Sequence, residues 1–234
     1  MFRACLASLT EASTRNFLAR KYPCKARNKF PNFVMTIQKS YPYILIIGSI
    51  IGLLASFVLT VDTIKFIKNP DVNLLCNINP FISCSSVATT WQSEIFGFPN
   101  ALLGIAAFAM LFAVGVMLLS GGRSKKPLWL LVNLGTLAAM IFVMWFFFES
   151  VYRIGSLCLY CMVTWVVTWP LFLYTTVWNF RENHFTIPSL HVKTQNKIDF
   201  FFHFVSRNHT PILISGYFLG IILILIHFRD FFFA

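Results

Sequence analysis

Five long apolar stretches divide this sequence and limit it to one class of structure. They cover residues 41–62, 101–120, 128–149, 157–178 and 211–228. At a rise of 1.5 Å per residue, about 20 helical residues cross the ~30 Å hydrocarbon core of a bilayer. Only 12% of the residues are charged and the mean hydropathy is +0.71, whereas soluble domains have about 25% charged residues. The sequence therefore predicts an all-α integral membrane protein with five transmembrane helices.

The apolar stretches and the segments between them give the chain four predicted parts. Residues 1–40 are basic and nearly free of acids, and we interpret them as a cytosolic tail or as a misassigned start with Met35 as the first residue. Residues 41–178 hold the first four spans, residues 179–210 form a polar cytosolic loop, and residues 211–234 carry the fifth span.

The basic residues predict how the chain is oriented in its membrane. Fifteen of the nineteen lysine and arginine residues fall in 1–40, 121–127 and 180–210, which lie on one side of a five-span protein. The positive-inside rule places that side in the cytoplasm. The net charge of +11 therefore reflects membrane orientation, and we expect no nucleic-acid partner. A bacterial inner membrane fits this pattern best, with the connections at 63–100 and 150–156 on the external face.

Four of the six cysteines lie in or next to those two external connections. Cys76 and Cys84 occur in the first connection, where two asparagines and Pro80 favour a bend that would present both thiols to solvent. Cys158 and Cys161 form a C-x-x-C pair at the mouth of the fourth span. Disulfides form and persist on the oxidising side of a cell membrane. The sequence thus places two dithiols on one oxidising face.

The C-x-x-C pair sits where a helix favours a thiolate. A helix N-terminus carries partial positive charge, which lowers the pKa of a nearby thiol. Ser156 is the candidate N-cap residue. Residues three apart in a regular helix are too far apart for a disulfide. We therefore expect Cys158 in an irregular first turn and Cys161 in the helix, so that the pair can open and close.

The segment after Cys84 predicts a short helix. Val87, Trp91 and Ile95 recur at intervals of four and would form one apolar stripe. Such a helix can lie flat on the membrane face and roof the bundle below it. An ordinary amphipathic connector explains the same pattern, so both interpretations remain open.

Two dithiols on one face indicate an electron relay by thiol–disulfide exchange. The second pair faces a membrane bundle, so the terminal acceptor must be lipid-soluble, and a quinone fits. A four-cysteine zinc site is disfavoured because thiols on an oxidising face tend to pair with each other. A c-type haem is excluded in its usual form because Met162 follows Cys161. The alternative is a non-enzymatic membrane protein in which a Cys76–Cys84 disulfide is purely structural.

Taken together, the motifs resemble those of the vitamin K epoxide reductase family, and in particular its bacterial quinone-linked members. The resemblance covers residues 41–178. It rests on Cys76-x₇-Cys84, the following Ser-Ser-Val-x-Thr-Thr, the run Phe-Gly-Phe-Pro-Asn-Ala-Leu-Leu-Gly over residues 96–104, and Cys158-x-x-Cys161.

The resemblance implies a four-helix bundle around a quinone, ubiquinone or menaquinone, with the fifth helix alongside. It implies that a reduced thioredoxin-fold carrier delivers electrons to Cys76 and Cys84. Cys84 then forms a transient mixed disulfide with Cys158, and Cys161 passes the electrons to the quinone. Because the chain ends at Ala234, where some relatives continue into a thioredoxin-like domain, we expect the carrier to act in trans.

The resemblance also implies three further residues of the quinone site. Asn100 matches an asparagine that hydrogen-bonds a quinone oxygen, and Thr90 matches a position near the junction of loop and bundle. Trp165 occupies the place of a tyrosine in vertebrate members, and its indole N–H can still donate. Without the resemblance, Asn100 reads equally well as a helix cap and Trp165 as ordinary packing.

Overall fold

The computed structural model describes residues 31–69, 74, 76–78, 82–122, 124–182 and 204–229, with side chains from Lys39 onward. The chain divides into two units, residues 1–36 and 37–234. Of the first unit only the helical backbone of residues 31–36 is described. The second unit holds the helical bundle and the four cysteines of the predicted relay.

The described part of the chain is helical almost throughout. Its only extended pairing is an isolated parallel bridge between Ile82 and Leu157. This confirms the predicted all-α class. The elements are α1 (Pro31–Lys68), α2 (Cys84–Ala88), a 3₁₀ turn (Trp91–Glu94), α3 (Asn100–Leu119), α4 (Lys126–Phe148), a π-helical turn (Glu149–Ile154), α5 (Leu159–Arg181) and α6 (His209–His227).

Five helical stretches in the described chain are long and apolar enough to cross a membrane, as predicted. The first helix extends well beyond the predicted span, from Pro31 to Lys68. Proline is favoured in the first turn of a helix, and hydropathy marks only the membrane-crossing part of a longer helix. The spanning stretches are Lys39–Lys68, Asn100–Leu119, Lys126–Ile154, Leu159–Arg181 and His209–His227.

Close backbone approach joins α1 to α3. A Cβ atom added at Gly104 would lie 2.5 Å from Ser56 Oγ, and one added at Gly115 would lie 2.8 Å from Ile46 Cγ1. Small residues at such positions let membrane helices pack closely where no hydrophobic driving force exists between them. The two helices therefore form one fixed wall of the bundle.

A hydrogen bond between a side chain of α6 and the backbone of α5 attaches α6 to the bundle. Pro170 lies inside α5, and the helix continues through it to Arg181. Proline has no N–H, so the carbonyl of Val166 has no helical partner. The Tyr217 hydroxyl of α6 donates to this carbonyl at 2.6 Å. The ring of Tyr217 also packs on Trp169, with centroids 6.0 Å apart.

Polar pairs fix the helices at the end of the bundle that lies away from the cysteines. The buried Tyr41 hydroxyl donates to Thr175 Oγ1 at 3.0 Å, and its ring stacks on Trp178. Asn179 Nδ2 donates to the Trp129 carbonyl oxygen at 3.0 Å. These contacts tie α1 and α4 to α5, because a polar group inside a membrane bundle must find its partner within the protein.

The structure of the segment between α1 and α3 differs from the predicted helix with a single apolar stripe. Val87 is buried, but Trp91 is 64% exposed and Ile95 is also exposed. The helix breaks after Ala88 because the next hydroxyl groups bond to the backbone instead. Thr89 Oγ1 donates to the Ser86 carbonyl oxygen and Thr90 Oγ1 to that of Val87. The single stripe is thus replaced by α2 and a separate 3₁₀ turn.

Candidate active site

The first cysteine pair is a disulfide buried in the protein. Cys76 and Cys84 are bonded, with Cα atoms 5.7 Å apart, and are 0% and 1% exposed. The prediction that this pair faces solvent is therefore wrong. Both cysteines belong to an apolar cluster with Leu74, Val87 and Leu157, and the burial of this surface draws the loop inward.

The side chain of Asn77 holds the loop against the start of α2. Asn77 Nδ2 donates to Ser85 Oγ at 3.0 Å. Its Oδ1 accepts from Ser83 Oγ at 3.2 Å and from the Ser85 N–H at 3.3 Å. Ser83 is the N-cap of α2, and its backbone N–H donates to the Leu157 carbonyl oxygen at 3.0 Å. This set of contacts aligns Cys84 with the chain segment that precedes Cys158.

The two cysteine pairs meet at one point. Cys84 Sγ lies 3.3 Å from Cys158 Sγ, and both atoms are buried. Cys158 and Cys161 are free thiols. Thiol–disulfide exchange requires one sulfur to approach another directly, and this approach already exists in the structure.

The backbone around Cys158 explains its position. The π-helical turn ends at Gly155, whose positive φ of 69° reverses the chain. Leu157 then pairs with Ile82, and Cys158 follows as the N-cap of α5. The prediction of Ser156 as N-cap is wrong by two residues. Cys161 lies in the helix, as expected, whereas Cys158 is the N-cap just before the helix and not part of its first turn.

Its neighbours favour the thiolate form of Cys158. The hydrogen bond from the Cys161 thiol is the main cause that lowers the pKa of Cys158. Burial raises the pKa of Cys158, and the Asp62 carboxylate raises it weakly, whereas the backbone N–H groups of Cys161 and Tyr160 lower it. The net direction is downward, so Cys158 is the better nucleophile of the C-x-x-C pair.

A cavity of about 530 Å³ lies against the cysteines and between four helices, within the range of about 300–1,000 Å³ that is typical of ligand pockets. Cys84, Cys158 and Cys161 form one part of its wall. Most of the remaining wall is apolar. The wall residues come from α1, α3, α4, α5 and the segment between α1 and α3, and include Ser56, Ser93, Phe96, Asn100, Phe108, Gly135, Thr136, Phe142, Thr164, Trp165 and Thr168.

Asn100 presents a polar group to this cavity. It is the first residue of α3, and Pro99 is the N-cap, so Asn100 is not the helix cap. Its Nδ2 donates to the Gln92 carbonyl oxygen at 2.6 Å. Its Oδ1 is buried and has no hydrogen-bond partner. Unsatisfied buried oxygens are rare in native proteins, so this atom is the clearest sign of a ligand contact on the wall.

The other sequence-predicted residues divide between the cavity wall and positions outside it. Trp165 is buried on the wall, packed edge-on against Phe147 with centroids 5.0 Å apart. Thr90 is not one of the wall residues, and its hydroxyl donates to the Val87 carbonyl oxygen at 2.7 Å. Cys76 is not on the wall either, because it lies behind Cys84. The structure therefore gives no support to a cofactor-binding role for Thr90.

Two contributors to the site carried no readable signal in the sequence. Asn77 reads there only as a turn former, and Gln92 as a polar residue of an amphipathic segment. Asn77 acts through its side-chain amide, and Gln92 through its side chain and its carbonyl oxygen, and the partners of both depend on the fold. Among the described residues, no group of three or more histidine, cysteine, aspartate or glutamate side chains is arranged to hold a metal ion.

Comparison with known proteins places these features in a family. No curated protein matches the chain. Residues 43–176 match the family model of the Vitamin K epoxide reductase family. This range is more than half of the chain, and it contains both cysteine pairs and the residues of the cavity wall. The chain therefore belongs to the vitamin K epoxide reductase family of quinone-linked membrane thiol oxidoreductases.

Proposed function

We propose that this protein takes electrons from a reduced thioredoxin-fold carrier acting in trans and passes them to a membrane quinone, thereby supporting disulfide formation. The observation that carries the proposal is the 3.3 Å approach of Cys84 Sγ to Cys158 Sγ. A purely structural Cys76–Cys84 disulfide does not require a free thiol at this distance, whereas a relay does.

The first step reduces the loop pair. A carrier dithiol attacks the Cys76–Cys84 disulfide, which yields a carrier disulfide and two thiols on this chain. Because both cysteines are buried, the loop must open for the carrier to reach Cys76. The contacts of Asn77 with Ser83 and Ser85 are the ones that such opening breaks.

The second step moves the electrons inward. The Cys84 thiolate attacks Cys158 in a Cys158–Cys161 disulfide, and Cys161 leaves as a thiolate that takes up a proton. The Cys76 thiolate then attacks Cys84 and releases Cys158. The exchange leaves a Cys76–Cys84 disulfide and two free thiols at Cys158 and Cys161, which are the cysteine states in the structure.

The cavity fits a quinone as the acceptor. When bound, a quinone accepts two electrons and two protons, which the two thiols of the C-x-x-C pair supply as they form a disulfide. Cys161 contributes its sulfur to the cavity wall, and Cys158 closes onto it. The second hydrogen on Asn100 Nδ2 can donate to a quinone oxygen, and the unpartnered Oδ1 can accept from the hydroxyl of the quinol that forms. The apolar wall, including Trp165, excludes water and suits ubiquinone or menaquinone.

The proposed chemistry and the positions of the basic residues support one orientation. We place the cysteine end of the bundle on the external face of the cell membrane and the N-terminus in the cytoplasm. Lys125, the N-cap of α4, and Lys126, its first residue, then lie on the cytoplasmic side. The predicted cytosolic tail or misassigned start (1–40) and the predicted cytosolic loop (179–210) belong to this side as well. Both lie largely outside the described residues, and their described ends belong to helices that start at Pro31, end at Arg181 and start at His209.

The test is anaerobic quinone reduction by the purified protein with a reduced thioredoxin-fold carrier. We expect both Cys161→Ala and Cys76→Ala to lose carrier-driven turnover. Cys76→Ala should still reduce quinone with a small dithiol that reaches Cys158 directly. If Cys161→Ala turns over like the wild type, the C-x-x-C pair does not serve the quinone and the proposal fails.

A further inference from the structure

A buried carboxylate beside the cavity has no place in the electron path. Glu149 begins the π-helical turn after α4 and is 8% exposed. Burying a charged group costs free energy unless other groups bond to it. π-helical turns are rare and often occur at functional sites. Both features call for a reason why a glutamate occupies this position.

Glu149 has two partners, of which one is buried. Gln92 Nε2 donates to Glu149 Oε2 at 3.2 Å, and Gln92 is itself buried in the 3₁₀ turn. Arg153 NH1 lies 3.6 Å from Glu149 Oε1, but the Arg153 side chain is 68% exposed. An ion pair with an exposed arginine contributes little. The hydrogen bond to Gln92 is therefore the contact that matters.

Gln92 connects Glu149 to the cavity wall. The carbonyl oxygen of Gln92 accepts the 2.6 Å hydrogen bond from Asn100 Nδ2. That bond fixes the amide plane of Asn100, a residue of the cavity wall whose Oδ1 is buried and without a partner. A continuous set of contacts thus runs from the end of α4 through the 3₁₀ turn to the first residue of α3.

We propose that Glu149 is a positioning residue of the quinone site: it holds Gln92 in place and so orients the Asn100 amide toward the ligand. This inference rests on the proposed function, because it assigns Glu149 to the quinone step and not to the thiol exchange. Glu149 itself does not line the cavity.

Within the 3₁₀ turn, the Ser93 hydroxyl donates to the Ala88 and Thr90 carbonyl oxygens at 2.9 and 2.7 Å. Neither bond involves Gln92, whose buried side-chain amide is held by Glu149. Replacing Glu149 by leucine would leave Gln92 Nε2 buried without an acceptor, which proteins avoid. The turn would then shift and carry the Gln92 carbonyl away from Asn100. Replacement by glutamine keeps an acceptor oxygen for Gln92 and loses only the arginine contact.

Three variants test the proposal in the Cys161→Ser background, in which we expect no turnover. Glu149→Leu removes the acceptor, Glu149→Gln keeps it, and Ser150→Ala is the matched control, since Ser150 is the adjacent buried residue with an unpartnered hydroxyl. The measurements are binding of a soluble ubiquinone analogue, by quenching of tryptophan fluorescence, and hydrogen exchange of the backbone over residues 91–100.

We expect Glu149→Leu to weaken binding of the analogue roughly tenfold, equivalent to about 1.4 kcal/mol, and to speed exchange over residues 91–100. Glu149→Gln and Ser150→Ala should match the unsubstituted protein in both measurements. The same Glu149→Leu change, made with Cys161 intact, should leave the rate of Cys84–Cys158 exchange unaltered.

Two results would overturn the positioning role alone. One is unchanged binding of the analogue by Glu149→Leu while the wild type reduces quinone. The other is an equal loss of thiol exchange and binding, which would mean general disruption of the fold. Failure of the wild type to bind or reduce any quinone would overturn the proposed function, and the role of Glu149 with it.

Discussion

Replacing Asn77 by alanine tests how the structure brings the two cysteine pairs together. The side chain makes three hydrogen bonds, two to Ser85 and one to Ser83. The Ser83 hydroxyl keeps other contacts, with Ser85 Oγ at 3.1 Å and Ser86 Oγ at 2.9 Å. Asn77→Ala should therefore weaken mainly the attachment of the loop to α2, and leave the N-cap of α2 in place.

The magnitude follows from these contacts. A hydrogen bond contributes a net ~0.5–1.5 kcal/mol, and water can replace part of the loss because the bonds to Ser85 are exposed. We therefore expect Asn77→Ala to destabilise the aligned position of Cys84 by about 1–2 kcal/mol. This corresponds to a roughly 5–30-fold slower formation of the Cys84–Cys158 disulfide. Asn77→Asp should behave like the wild type, because its two oxygens accept from the Ser83 hydroxyl, the Ser85 N–H and the Ser85 hydroxyl.

The assay isolates the two sulfurs that meet. Cys76 and Cys161, together with the cysteines at positions 5 and 24, are replaced by serine, which leaves only Cys84 and Cys158. Formation of the Cys84–Cys158 disulfide under a mild oxidant is then followed by gel shift after alkylation. Thr89→Ala, at the other end of α2, is the control. An Asn77→Ala rate equal to that of the control would refute the aligning role of Asn77.

Three further predictions follow from the helices and the thiols. Tyr217→Phe leaves the Val166 carbonyl without a donor, so thermal unfolding in detergent should show a loss of roughly 1 kcal/mol; no loss would mean that another group satisfies this carbonyl. Gly135 lies on the cavity wall, and a Cβ added there has no neighbour within 4 Å, so Gly135→Leu takes up space in the cavity. Quinone turnover should fall while Cys84–Cys158 exchange persists, and a parallel fall in both would contradict this. Cys161→Ala removes the thiol hydrogen bond that is the main cause of the lowered pKa of Cys158, so the pH midpoint for alkylation of Cys158 should move upward. An unchanged or lower midpoint would exclude this hydrogen bond as the cause.

Hydropathy and motif spacing predict the part of the fold that depends on local sequence. The apolar stretches mark the spanning helices, and topology alone places the Cys76–Cys84 loop on the same side as Cys158 and Cys161. The split of the C-x-x-C pair across a helix boundary also follows from local geometry, because Cys158 must approach Cys161 more closely than a regular helix allows.

Contacts between distant segments could not be predicted in this way. The burial of Cys76 depends on the packing of Leu74 and Leu157, which are far apart in the sequence. The break of the apolar stripe depends on whether the Thr90 hydroxyl bonds to solvent or to the Val87 carbonyl oxygen. The bond between Gln92 and Glu149 needs the 3₁₀ turn to lie over the end of α4. Periodicity carries no information about such pairings.

The bond between Tyr217 and Val166 has a consequence for the biosynthesis of the protein. The ribosome delivers α5 to the membrane before α6, so Pro170 leaves the Val166 carbonyl without its donor during that interval. Carbonyls freed by proline in a membrane helix are satisfied by neighbouring helices or ordered water, so until α6 arrives another helix or trapped water must satisfy this one. The segment that carries Cys161 and Trp165 is thus completed only when α6 has been made, and nascent chains stalled before α6 should hold an active-site helix that lacks this bond.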